Sequence, residues 1–301
     1  MAGSIHNEVV TLFSGGMDST LAVLDLTGRY ERVHMLTFKT TGIVFAEHSR
    51  IHAGQLIREV GEDRLVHHIM DIRSIHRRIR RGLPEDYLRF CAGTAPGVLC
   101  MGCKLSMHVR TLMYCLDNGI AEAADGALRV QSDHPECMPE VLNELKRMYA
   151  RYGVRFTSPM YDAPSKDDNR RRLLEHGFTV GKKFGSTTRF DQPICLVGPF
   201  STMWHFSAPY DERAMVAFLS GKQAIVDGLI DEYMKNHHDS WPEHRPAPIP
   251  LDDEDLLCFR EVRVQPEFGE RVDHLISRAL WPLWRLIDAW LRWSARRTDG
   301  T

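Results

Sequence analysis

Ser14-Gly15-Gly16-Met17-Asp18-Ser19-Thr20 is the stretch whose reading decides the fold. Val9-Val10-Thr11-Leu12-Phe13 runs into it, apolar and β-branched, and Leu21-Ala22-Val23-Leu24-Asp25-Leu26, of helical composition, follows. That order reads as buried strand, tight turn, then helix. Two adjacent glycines let the backbone turn sharply and let an anion approach without Cβ interference. The first N–H groups of the helix lack internal partners, and its dipole favours negative charge at that end. Ser14, Ser19 and Thr20 add hydroxyl donors. The pattern is that of a phosphate-binding loop, set against the plainer alternative of a strand-to-helix turn capped by Ser and Asp. Its place after a strand and before a helix is where phosphate chemistry needs it.

Working outward, Arg32 to Phe38 reads as a second strand, Glu47 to Val60 as a helix stopped by Gly61, and Arg64 to Ile69 as a third strand. A fourth strand is expected within Gly119 to Leu128, ending near Asp125-Gly126, and a short one at Val154-Arg155-Phe156. Pro139 to Tyr152 has the spacing of a helix. Ser165 and Asp168 are placed to cap another, containing Lys166 and ending at Gly177. Strands alternating with helices predict an α/β fold with a doubly wound parallel sheet, whose ligands bind beyond the carboxyl ends of the strands. Residues 1–205 read as the nucleotide-binding domain and 206–301 as a helical C-terminal extension, with a proline-rich connector at 242–250. Helical segments are expected at Glu212 to Leu219 and Gln223 to Met234. The segment Arg271 to Arg297 carries four tryptophans among basic residues, suited to packing on the domain or to a homodimer contact.

The whole chain is balanced in charge, with 38 Lys and Arg against 40 acidic residues. That gives no global pull toward nucleic acid, although Arg73 to Arg81 forms a dense local positive run. The amino terminus lacks the basic and apolar blocks of a secretion signal, and no apolar run reaches membrane-spanning length, so a cytoplasmic protein without a membrane span is expected. The adjacent pair His67-His68 would face opposite sides of a strand and cannot chelate one ion together.

Seven cysteines read as reduced thiols, metal ligands or catalytic groups. Cys100-Met101-Gly102-Cys103 opens a long helix, where nearby N–H groups would favour thiolate. By itself this pair suits a redox couple, half a zinc site or part of an iron–sulfur site; the lack of a second Cys-x-x-Cys weakens zinc. Cys195 sits in a loop beside a short apolar run. Cys91, Cys115, Cys137 and Cys258 read as small buried hydrophobes. Lys104 and Lys166 are candidates to neutralise phosphate, and Asp125 and Asp133 to assist magnesium or proton transfer.

The Walker Lys-Ser/Thr pair and the Gly-x-Gly-x-x-Gly pattern are both missing. Ser14-Gly15-Gly16-Met17-Asp18-Ser19 instead resembles the PP-loop of the ATP pyrophosphatase superfamily, whose members adenylate a carbonyl and release pyrophosphate. The resemblance implies that Ser14, Gly15, Gly16, Met17, Asp18, Ser19 and Thr20 bind ATP, with Asp18 in the magnesium arrangement. It also implies that Thr37 and Phe38 border the adenine, and that Lys166 opens a helix where the family often has a lysine. Taken with the three cysteines, residues 7 to 198 resemble the sulfur-inserting branch, the tRNA 2-thiocytidine and 2-thiouridine synthetases. That likeness implies a 4Fe–4S cluster on Cys100, Cys103 and Cys195, with Lys166 and Asp125 assisting.

The expected activity is an ATP-dependent sulfurtransferase acting on a tRNA base or a small nucleobase-like acceptor, supplied by sulfide or a carrier protein. A persulfide on one cysteine, resolved by Cys195, is the competing mechanism. An amide- or nitrile-forming synthase of the same superfamily is the alternative function, and a non-catalytic ATP-binding module another.

Overall fold

In the computed structural model, β1 (Glu8–Leu12) leads through the glycine turn into α1 (Met17–Thr27), β2 (Arg32–Lys39), β3 (Ile43–Val44), α2 (Ser49–Val60) and β4 (Leu65–Asp71). Then come α3 (Arg73–Ile79), α4 (Leu83–Phe90), α5 (Gly97–Asn118), β5 (Glu122–Ala124), α6 (Pro139–Ala150), β6 (Arg155–Thr157), α7 (Lys166–Glu175), β7 (Ile194–Cys195) and α8 (Glu212–His237). The structure describes residues 7–91, 94, 96–179, 192–197, 209–238, 241, 245–257 and 289. The segment 271–297 therefore lies outside the described residues except for position 289, and Cys258 lies outside them too.

The central sheet has the order β4-β2-β1-β5-β6, and every pairing in it is parallel. From β1 the chain steps outward to β2 and β4, then returns to the other side of β1 to lay down β5 and β6. The reversal falls between β1 and β5, and in an open parallel sheet the crevice at such a reversal is where ligands bind.

Side chains on alternating strand positions supply two separate cores. Val10, Leu12, Leu36 and Phe38 pack with Leu105, Val109 and Leu112 of α5, with Leu142 and Leu145 of α6, and with Phe218 and Leu229 of α8. Val9, Val33 and Met35 pack on the opposite face with Leu21 and Leu26 of α1, Leu56 of α2 and Leu173 of α7. The doubly wound arrangement is thus carried by strands that are apolar on both sides.

Two details differ from the sequence expectation. The helical segments around 212–219 and 223–234 are one continuous helix, α8. Its buried residues Met215, Phe218, Leu219, Val226, Leu229, Ile230 and Met234 recur at helical spacing, and that face outweighs the ~1 kcal/mol penalty of Gly221 within the helix. The helix end meets α5 closely: a Cβ on Gly97 would lie 2.5 Å from Met215 Sδ.

The arginine run Arg73 to Arg81 is also less open than its composition implies. Arg73 pairs with Asp71 and Arg78 with Glu232 of α8, and Arg80 lies against Gly102. Among the described residues no helix is long and apolar enough to cross a membrane.

Phe218 is 1% exposed and meets Phe90 edge-on, with ring centroids 5.8 Å apart. Phe218→Ala should therefore lower the unfolding free energy by about 3–5 kcal/mol in a urea titration; a loss under about 1 kcal/mol would show that α8 does not share this core.

Candidate active site

The glycine turn is held by close packing and by its own hydroxyls. Gly15 has φ +70°, and a Cβ there would lie 2.9 Å from Ser49 Cα, so the turn fits against α2 only as glycine. Ser14 Oγ accepts from the Gly16 N–H at 3.2 Å and lies 3.0 Å from Ser19 Oγ. Thr20 Oγ1 donates to the Gly16 carbonyl at 2.8 Å. Gly16 caps α1 without any side-chain capping bond, which leaves the helix N-terminus facing outward to an anion.

Beneath the turn, Thr37 Oγ1 donates to the Phe13 carbonyl at 2.6 Å, and Ser49 Oγ donates to the Ala46 carbonyl. Both hydroxyl oxygens then accept from His67 Nε2, at 3.0 and 3.3 Å. This pattern needs the hydrogen on Nε2. Burial, then the charges of Arg50 and His68, push His67 down to about 4, so the ring is neutral at ordinary pH. His67 and His68 do face different neighbours, as strand geometry requires: His68 lies beside Tyr114, ring centroids 5.6 Å apart.

A cavity of about 530 Å³ opens over the carboxyl ends of β1, β2 and β5. Ser14, Gly16, Met17, Asp18, Ser19, Thr37, Phe38, Lys104, Asp125 and Lys166 all line it. Gly15 and Thr20 support the turn from behind. Asp18 Oδ1 accepts from Asn169 Nδ2 of α7 at 3.0 Å. Burial raises its carboxyl above the ordinary range, opposed by that bond and by the Lys166 charge. Ser165 caps α7 by accepting from the Asp168 N–H at 3.0 Å, which fixes Lys166 and Asn169 in the first turn of the helix, beside α1. A carboxylate beside an anion cradle suits magnesium, which binds through one or two carboxylates and the phosphates it bridges. Asp18 fits that role.

The adjoining wall is organised by a buried ion pair. Lys104 Nζ lies 2.7 Å from Asp125 Oδ2, while Asp125 Oδ1 accepts from Ser158 Oγ at 2.7 Å and from the Ala127 N–H at 3.1 Å. Burial opposes both charges. The partner's charge and hydrogen bond, joined by the other groups around the pair, together outweigh it, holding Asp125 below and Lys104 above their ordinary values. Asp125 is thus committed to holding the wall. The next residue, Gly126, lies so near α1 that a Cβ would sit 3.0 Å from Ser19 Cα and N. This contact locks the end of β5 onto the phosphate turn.

The three cysteines do not line this cavity. Cys103 Sγ donates to Thr40 Oγ1 at 3.7 Å, and Cys195 in β7 pairs with Ile43 of β3, just past that threonine. The two thiols are close enough for the charge of Cys195 to act on Cys103, and Cys100 precedes Cys103 by about one helical turn. The expected thiolate at a helix start is not found: α5 begins at Gly97, and burial pushes the Cys103 thiol up to about 11. Among the described residues no group of three or more His, Cys, Asp or Glu is placed to hold a metal ion. A 4Fe–4S cluster would be held by thiolates, and a metal deprotonates the thiols that bind it. Cys91, Cys115 and Cys137 are buried.

Sequence reading missed His52, Asn169, Gln131, His134, Glu136 and Gln192, all tied to this site. None belongs to a local motif. Their only early signal was position, after strands whose carboxyl ends form the crevice, or on helices flanking it.

The family model described as "Queuosine biosynthesis protein QueC" matches residues 8–187. No curated protein matches the chain. Similar solved structures include the predicted subunit of tRNA methyltransferase from Methanocaldococcus jannaschii, 19% identical, covering 56% of this chain and 75% of that one with a TM-score of 0.38. The U34-tRNA thiolase NcsA from Methanococcus maripaludis with its [4Fe-4S] cluster is 14% identical, covering 78% and 69% with a TM-score of 0.39. NMN synthetase from Francisella tularensis is 14% identical, covering 81% and 89% with a TM-score of 0.36.

Lys104→Met should cost about 3–5 kcal/mol of stability, because it strands a buried carboxylate. Asp125, held low, contributes above the ordinary carboxylate range and loses that contribution as pH falls through its depressed value; Lys104, held high, loses its own only in strong base. Denaturant titrations of wild type and variant should differ by a constant amount through neutral pH and converge in acid. A difference that is absent at neutral pH would refute the buried pair.

Proposed function

The chain belongs to the family described as queuosine biosynthesis protein QueC, an ATP-utilising family of the PP-loop type, and from that premise we propose that it is an amide- or nitrile-forming synthase acting on a nucleobase-like carboxylate. One observation carries this reading in preference to sulfur insertion. The cavity beside the phosphate turn is lined by Lys104, Gln131, His134 and Glu136, whereas Cys100, Cys103 and Cys195 are not among its lining residues. An incoming amine needs no thiolate.

The steps follow from the residues. ATP lies with its phosphates on Ser14 to Ser19 and its adenine toward Thr37 and Phe38. A carboxylate oxygen of the acceptor attacks the α-phosphorus, the bond to the β-phosphate breaks, and pyrophosphate leaves onto the turn. Asp18 would hold magnesium, which supplies charge neutralisation on the departing pyrophosphate. The α1 N-terminus and Lys166 stabilise the same charge. An amine nitrogen then attacks the acyl carbon, loses a proton, and AMP departs with the C–O bonding pair. Going on to a nitrile repeats the chemistry: the amide oxygen takes a second adenylyl group, and AMP is eliminated as two protons leave nitrogen.

Sulfur insertion at the same adenylated carbon is the second reading, supported by the approach of Cys103 to Cys195 with Cys100 a helical turn away. A tRNA base as acceptor, a sulfur donor and a homodimer belong to that reading.

Wild-type protein with ATP, magnesium, ¹⁵N-ammonium and a panel of pyrimidine and purine-like carboxylic acids should release AMP and pyrophosphate and place ¹⁵N in the product, read by mass spectrometry. Asp18→Ala should lower the rate by about 10²–10³-fold, whereas Cys103→Ala should leave it within about twofold of wild type on the amine reading. A rate abolished by Cys103→Ala, or a product that requires sulfide, would replace this function with the sulfur-inserting one.

A further inference from the structure

His52 lies on α2, is 4% exposed and borders the cavity beside the phosphate turn. Its Nδ1 is hydrogen-bonded to the Gly15 carbonyl, and its Nε2 lies 2.7 Å from the Thr179 carbonyl. A carbonyl oxygen only accepts. A neutral imidazole offers one N–H and one lone pair, so it satisfies one carbonyl and sets a lone pair against the other; a ring with hydrogen on both nitrogens satisfies both. Gln55, about one turn further along α2, donates to Thr179 Oγ1 at 2.7 Å and pins the same residue again.

We propose that His52 is held as the imidazolium, clamping the phosphate turn to the segment after α7 and placing a fixed positive charge beside the pyrophosphate site. The motif Ser14 to Ser19 contains no cation, unlike loops that carry a lysine. His52 supplies that charge from another element. Its positive end adds to the field of the α1 N-terminus, and the two carbonyl dipoles offset the cost of burying it. The other ionisable groups bonded around this turn are differently committed: Asp18 to Asn169, and His67, neutral, to Thr37 and Ser49. Lys166, near Asp18, is the second cation at the site.

The inference rests on the phosphate-site reading, so the test separates the two. Protein labelled with ¹⁵N-histidine is examined at pH 7.5, and the His52 signals are identified by their loss in His52→Gln. Both ring nitrogens should show the shifts of protonated nitrogens, although a free imidazole is mostly neutral at that pH. In calorimetric titration with inorganic pyrophosphate and magnesium, His52→Gln should bind roughly tenfold more weakly, about the effect expected from removing one charge near a partly solvated anion.

One unprotonated ring nitrogen in the wild type, with pyrophosphate binding intact, overturns the proposal alone. Wild-type protein that binds no pyrophosphate overturns the anion-site reading and the proposal with it. Where His52→Gln folds poorly, the His52 ring signals are assigned in the wild type by through-bond correlation to its backbone amide, so the ring spectrum still decides the matter.

Discussion

Everything at this site depends on how closely the backbone at Gly15 approaches α2. With a Cβ there only 2.9 Å from Ser49 Cα, and with φ in the left-handed region, the turn has one packing solution. That solution stands the Gly15 carbonyl against His52, sets Phe13 and Ser49 over His67, and leaves the α1 N-terminus pointing into the crevice. Gly126 presses in from the other side, against Ser19. The phosphate turn is therefore clamped between the ends of two strands and a helix, and its donors are arranged before any ligand arrives. Such preorganisation is what makes hydrogen bonds and dipoles effective against charge that develops during reaction.

The sheet supplies the rest of the geometry. Because the strand order reverses between β1 and β5, the phosphate turn and the Asp125-Gly126 corner emerge side by side. Lys104 reaches the corner from α5 and is paired there with Asp125, so this wall of the cavity is held by an ion pair instead of presenting a loose cation. Lys166 and Asn169 are delivered from α7 by a Ser165 cap. Each functional group thus sits on a regular element whose own ends are fixed by packing.

Much of this was legible in the sequence because it is local. The strand–turn–helix around Ser14 to Thr20, the Ser165 cap, the place of Asp125 just past the fourth strand and the opposed faces of His67 and His68 each follow from spacing or from residue chemistry within a few positions. What was not legible depends on partners far away in the chain. His52 meets Thr179, Asn169 meets Asp18, and Gly97 meets Met215; no periodicity encodes such pairs. The cysteines show the same limit. Cys-x-x-Cys spacing put two sulfurs on one helix, and β7 does bring Cys195 toward Cys103, but burial decides the state of a thiol and cannot be read from spacing. The continuous helix α8 is a third case, where packing on α5 and α6 overrides a glycine that locally favours a break.

The central claim is that the acceptor's own carboxylate attacks the α-phosphorus of ATP at this turn. It is tested most directly by supplying the acceptor with ¹⁸O in its carboxylate and following the nucleotide by ³¹P NMR during turnover. The account predicts AMP carrying one ¹⁸O on phosphorus, released together with unlabelled pyrophosphate. ADP with labelled inorganic phosphate, or AMP free of label, would contradict it.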